Sequence, residues 1–293
     1  MSDRQVPAIL KSILDSGALE KGEVLALRRW FYGDGMVHAD DAEILFRVNA
    51  KLRDRYRDFN ALFVEIISDY LVYQLMPTGR VTEEQASWLM DQMGGPSASV
   101  ETATELDLIV EIMEEAHEIP ANLAAFALAQ VRHAAITGEG PAAQGRPHFS
   151  RVVDAGDVDL VARILAGAGG ATGSAVSRAE ADVLFDIADA CTGAANDGAW
   201  DQLFVRAIAN HLLGSSMPRR RALHDVPFVS SEDAGAGAAS GHSGRVDAAG
   251  AAWLAGRIHR DGQVTEAERT LLSIVDGGGP VDPIARAAIV RMA

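Results

Sequence analysis

This chain repeats itself, and that limits its fold more than any other feature. "VHADDAEILFRV" at 37–48 matches "VSRAEADVLFDI" at 176–187, and "FNALFVEIISDYLV" at 59–72 matches "WDQLFVRAIANHLL" at 200–213. Between these two matches the offset changes by only two residues. The first copy runs on through "MPTGRVTEEQASWL", while the second has Met217-Pro218 and resumes with "SGRVDAAGAAWL" at 243–254. Val100 through Ile119 corresponds loosely to Val264 through Val281. A fixed long period of this kind means one structural unit used twice, and 293 residues leave room for two ordinary cores. The organisation expected is a first helical unit over 1–137, a glycine- and proline-containing linker over 138–154, and a second unit over 155–293. The second unit carries an insertion at about 219–242.

Within each copy the apolar residues keep helical spacing. Ile44, Leu45 and Val48 recur in one segment, and Leu62, Phe63, Ile66, Ile67 and Tyr70 in the next. The second copy answers with Val183, Leu184 and Ile187, then Leu203, Phe204, Ile208 and His211. Strand-like alternation is scarce, so the fold class expected is all-α, two tandem copies of a multi-helix unit related by internal duplication. Aromatic residues hold matched places: Phe46 with Phe185, Phe59 with Trp200, Phe63 with Phe204, Trp88 with Trp253. On apolar helix faces such residues build cores rather than ligand boxes.

Charge narrows the partners. The net charge is −15, of which −11 falls in residues 1–139. A field of that sign repels phosphate backbones, so nucleic acid is not expected as a partner. The lone Cys191 excludes an intramolecular disulfide. The most apolar long segment, "ALFVEIISDYLVYQL", is broken by Glu65 and Asp69 and does not read as a transmembrane segment. A cytoplasmic location is the simplest expectation.

Four short stretches share glycine, one residue, then valine: Gly35-Met36-Val37, Gly79-Arg80-Val81, Gly244-Arg245-Val246 and Gly262-Gln263-Val264. Glycine at position 6 and an apolar residue at 8 belong to an EF-hand calcium loop, whose oxygen ligands sit at 1, 3, 5 and 12. Asp261 and Glu268 fit positions 5 and 12, but Arg257 and His259 then fall at 1 and 3. Asp34 and Asp41 fit the same places in the first loop, with Trp30 and Tyr32 at 1 and 3. A helix-to-helix turn explains the pattern better. Glycine closes one helix in the left-handed conformation, valine packs inward, and His38, Thr82, Asp247 or Thr265 caps the next helix. Thr82 with Gln85 and Thr265 with Glu268 have capping-box spacing.

The pattern Asp-Gly-x-Val-Thr-x-x-Glu in "RDGQVTEAERTLL" resembles the tellurite-resistance TerB-like helical family, which uses such EF-hand-like turns in an all-helical domain about half this length. The second copy departs from it with "ATGSAVSRAE" at its first turn. The resemblance implies a stress-response role near the inner membrane face, with peripheral membrane association open, and acidic metal sites in some members.

No phosphate-binding loop, nucleophile elbow or cysteine–histidine signature is present, so no catalytic residue is assigned and no enzyme activity is expected. Glu114 and His117 form one Glu-x-x-His step, half of what a di-iron carboxylate bundle needs, and the second copy has no equivalent. The function expected is a non-enzymatic protein-interaction or stress-response module with a protein partner and no required cofactor. Its docking candidates are Glu111, Glu114, Glu115 and Glu118, with Arg219, Arg220 and Arg221 of the insertion as a basic alternative. The rival is a divalent-cation binder, calcium above all. Its candidate ligands are Asp34, Asp40, Asp41 and Glu43, then Asp261, Glu266 and Glu268.

Overall fold

Twelve α-helices and no strand occur among the described residues, so the chain is all-α. The computed structural model describes residues 8–20, 22–33, 35–52, 57–143, 151–169, 175–214, 246, 248–260 and 262–277. Asp34, Asp247, Asp261, Arg219, Arg220, Arg221, the insertion at 219–242 and Gly244 and Arg245 of the third Gly-x-Val turn lie outside them. None of the helices there is long and apolar enough to cross a membrane.

The chain divides into two compact units, Met1–Ala116 and His117–Ala293. The first contains α1 (Ala8–Ser16), α2 (Glu23–Phe31), α3 (Ala39–Lys51), α4 (Arg57–Ser68), α5 (Glu83–Gln92) and α6 (Ala103–Glu115). A π-helical turn, Asp69–Gln74, extends α4. Helix α4 is the centre of this unit, packing on α2, α3 and α6. Its apolar face, Phe59, Leu62, Phe63, Ile66 and Ile67, is buried completely or nearly so. Each such side chain contributes about 1.5–3 kcal/mol of burial. Phe46 of α3 meets Phe63 edge-on at 5.1 Å and Trp88 of α5 at 5.9 Å, while Phe59 lies tilted on Phe63 at 6.4 Å.

The second unit contains α7 (Ala121–Thr137), α8 (Ala155–Ala168), α9 (Arg178–Ala190), α10 (Gly198–Leu213), α11 (Ala248–Ile258) and α12 (Glu266–Gly277). Its ring geometry runs parallel to the first. Phe185 meets Phe204 edge-on at 5.0 Å and Trp253 at 5.5 Å, and Trp200 lies tilted on Phe204 at 6.1 Å. Helix α7 packs mainly on α9 and α8. Its buried residues, among them Leu123, Phe126, Ala127, Leu128, Val131 and Ala134, leave little polar face. The division therefore falls at 116/117, ahead of the joint read from glycine and proline at 138–154, because an apolar α7 must be covered and α8 and α9 cover it.

The turns are built as capped helix junctions. Gly35, Gly79 and Gly262 have φ of 83°, 79° and 73°, the left-handed region that a Cβ disfavours. Val37 and Val81 behind the first two are buried, whereas Val264 behind Gly262 is only half-buried. Reciprocal capping boxes join His38 to Asp41 and Thr82 to Gln85, and Thr265 to Glu268 in the same way. Three further boxes, Thr102 with Glu105, Asp154 with Asp157 and Ser177 with Glu180, start α6, α8 and α9. Each settles two helix-end N–H groups that would otherwise lack partners.

Candidate functional site

The chemistry in the first unit collects in an open cleft of about 910 Å³ walled by α2, α4, the π-turn and α6. Helix α6 lines the cleft with one stripe at four-residue spacing, exposed Asp107 and half-buried Glu111 and Glu115, while Leu108, Ile109, Ile112 and Met113 on its other face are buried. Opposite stand Asn60, Glu65 and Ser68 of α4, with Arg57 at that helix's first residue. Arg28 and Tyr32 come from the end of α2.

The π-turn contributes Asp69 and Tyr73. Its wider winding, in which Leu75 N–H reaches the Tyr70 carbonyl, breaks the α-helical register where the cleft needs both side chains. Gln74 stabilises the turn. Its amide nitrogen donates to Asp69 at 2.6 Å and its amide oxygen accepts the Val37 N–H at 2.7 Å.

Negative charge is in excess here. Glu65, Asp69, Asp107, Glu111 and Glu115 face only Arg28 and Arg57. Arg28 is already spent on Glu65 through two parallel hydrogen bonds, one of 2.6 Å. That pair raises the Arg28 pKa, the Glu65 hydrogen bond being the main cause. Burial, followed by the charges of Asp69 and Glu65 and a hydrogen bond to Asp69, pushes the Tyr32 hydroxyl far up, so it stays protonated. Burial likewise pushes Glu115 above the ordinary carboxylate range. Glu111 and Asp69 add to that shift, and a hydrogen bond with Ser68 opposes it. Two buried acceptors of residues that line the cleft, Asn60 Oδ1 and Glu115 Oε2, have no hydrogen-bond partner among the described residues. Buried acceptors are rarely left so unless something else supplies the donor. The arrangement suits a ligand rich in N–H donors and positive charge.

The residues singled out by sequence reading separate here. Glu111 and Glu115 line the cleft, whereas Glu114 and Glu118 are exposed and do not. His117 is exposed. Asp40 and Glu43 are exposed on the first turns of α3, where with burial they push the Tyr70 hydroxyl up. Asp41 is buried and accepts the His38 N–H at 3.3 Å. Glu266 is exposed, while Glu268 is buried and accepts both the N–H and the hydroxyl of Thr265, at 2.8 and 3.0 Å. No group of three or more histidine, cysteine or carboxylate side chains arranged to hold a metal ion occurs among the described residues.

Sequence reading missed Arg28, Tyr32, Asn60, Glu65, Asp69, Tyr73 and Asp107. The four-residue spacing of Asp107, Glu111 and Glu115 was the available signal. Nothing local marks Arg28 as the partner of a residue 37 positions away. Compared with family models, curated proteins and solved structures, the chain matches none of them.

Proposed function

We propose that the chain is a tandem duplication of a TerB-like helical unit and acts as a non-enzymatic, cytosolic protein-interaction module of a stress response. In this reading the first copy binds a basic segment of a protein partner in its cleft. The duplication is supported by the matched ring pairs, whose separations agree within a few tenths of an ångström: 5.1 and 5.0 Å, 5.9 and 5.5 Å, 6.4 and 6.1 Å. The observation that carries the binding role is the surplus of carboxylates around two unpartnered buried acceptors, Asn60 Oδ1 and Glu115 Oε2. Lysine and arginine side chains supply both the charge and the donors such a surface lacks.

The rival reading, a divalent-cation site on Asp40, Asp41 and Glu43 or on Glu266 and Glu268, has less support. In each set the buried carboxylate is engaged in capping its own helix. The test is calorimetric titration of the full chain with a synthetic arginine- and lysine-rich peptide. Saturable binding that weakens with salt is expected. The double variant Glu111→Gln, Glu115→Gln should weaken it about tenfold, from roughly 0.2–1 kcal/mol per exposed ion pair, while Glu84→Gln, outside the cleft, should not. Absence of binding, or binding indifferent to the cleft variants, refutes the proposal.

A further inference from the structure

In the second unit, α7, α9 and α11 meet at one aspartate. Asp186 Oδ1 accepts from Arg257 Nη2 at 2.7 Å and from Arg260 Nη1, just beyond α11, at 2.6 Å. Its Oδ2 accepts from Arg132 Nη1 at 3.0 Å. Arg257 lies behind the aspartate, largely buried, with its guanidinium over the Phe185 ring and a second bond to the Asp182 carbonyl. It is shared between Asp186 and Asp182, whose Oδ1 lies 3.8 Å from its Nε, with Asp186 the nearer at 2.7 Å. Arg132 and Arg260 stand in front, both substantially exposed, and line a cleft of about 600 Å³ together with His133 and Asp189. Each guanidinium carries five N–H donors and spends one on Asp186. Two arginines are thus held side by side by one carboxylate on the wall of an open cleft.

The fold does not require this arrangement. If the two copies correspond as proposed above, the positions of Asp186, Arg257 and Arg260 are those of Arg47, Gln92 and Gly95 in the first copy. There the matched rings pack with the same geometry, and Arg47 is exposed. The matched rings of the first copy pack without such a cluster, so ring packing does not call for it. We infer that Arg132 and Arg260, with His133 beside them, form a binding site for a small phosphate-class oxyanion, inorganic phosphate or a small phosphate monoester. Planar guanidinium forks match phosphate oxygens two at a time. The chain's overall negative charge disfavours a nucleic-acid polymer at the same place. Asp189 on the cleft wall limits the affinity, and a small ligand can seat on the arginine side.

The test titrates the full chain with inorganic phosphate, and separately with glycerol 3-phosphate, while NMR follows the arginine side-chain N–H signals. Saturable shifts confined to Arg132 and Arg260 are expected, with affinity in the millimolar range or better. Arg260→Gln, at an exposed position, should weaken binding about tenfold or more, the loss expected of a charge-assisted hydrogen bond. Asp189→Asn should tighten it a few-fold by removing a repelling charge, and Arg178→Gln should change nothing. Circular dichroism verifies that each variant is folded. Binding of the basic peptide should survive Arg260→Gln, which separates failure here from failure of the cleft in the first unit. Silent arginine signals at the highest phosphate concentration, or an affinity undiminished in Arg260→Gln, would each overturn the assignment.

Discussion

Replacing Glu268 by alanine and, separately, by glutamine distinguishes a helix cap from a cation ligand. Glu268 is 4% exposed and its carboxylate accepts the Thr265 N–H at 2.8 Å, while Thr265 Oγ1 accepts the Glu268 N–H at 3.2 Å. Alanine removes the carboxylate half of this box and strands a part-buried N–H. Losing this half of the cap and stranding its donor is one effect that costs about 1–2 kcal/mol. That lowers Tm by roughly 2–8 °C in a unit of this size.

Glutamine should behave differently, because Gln85 already performs this task at another turn, its amide oxygen accepting the Thr82 N–H at 2.8 Å. The change to Gln forfeits only the attraction between a charged carboxylate and the helix N-terminus, about 0.5 kcal/mol. Thermal melting followed by far-UV circular dichroism, in chelator and in excess calcium, reads both outcomes. If Glu268→Gln melts as low as Glu268→Ala, the capping argument is wrong. If calcium raises the melting temperature of the parent chain but not of Glu268→Gln, Glu268 is a ligand, since a cation bound to the folded state stabilises by mass action.

Three further substitutions test the energetics. Burial raises the Glu180 pKa against the opposing hydrogen bonds from Ser177. Its contribution to stability is therefore present below the ordinary glutamate value and lost as pH rises through the raised one. Glu180→Gln should flatten that decline and be at least as stable as the parent at neutral pH in urea unfolding; a deficit above about 1 kcal/mol would contradict the cap geometry. Asp186 is the opposite case: burial works against ionisation, but hydrogen bonds from Arg257, Arg260 and Arg132 prevail and hold it below the ordinary aspartate value. Its contribution is present above that value and lost as pH falls through the depressed one. Asp186→Asn should cost about 1–2 kcal/mol at neutral pH, discounted because two of its partners are exposed, with the difference closing in acid. Gly35→Ala should cost about 1–2 kcal/mol for conformation alone, because φ is 83° and no atom lies within 4 Å of a Cβ built there. Gly22→Ala, at φ −70° with equal space, should be neutral or mildly stabilising.

Elements and turns were legible in the sequence because their causes are local. Helical spacing of Leu62, Phe63, Ile66 and Ile67 specifies a buried face whatever lies opposite. Glycine at 35, 79 and 262 followed by valine two residues on specifies a left-handed junction, and Thr82 with Gln85 specifies a box within one helical turn. The π-turn at Asp69–Gln74 was not legible. Its register depends on Gln74 reaching both Asp69 and the distant Val37 N–H, and no periodicity in "DYLVYQ" announces that.

What the sequence determined by itself was the all-α class, the capped Gly-x-Val turns at 35, 79 and 262 and the acidic character of α6, since each follows from residues within a turn or two of one another. Tertiary structure alone decided that Glu111 and Glu115 share a cleft with Asp69 and Tyr73 while Glu114 does not, because neighbouring positions on one helix point along different radii. It also decided that Arg28 is spent on Glu65, that α7 belongs with α8 and α9, and that Arg132, Arg257 and Arg260 converge on Asp186. Electrostatic pairing depends on distance in space, and the 54 to 74 positions separating Asp186 from its arginines close only when the apolar faces of their helices are buried together.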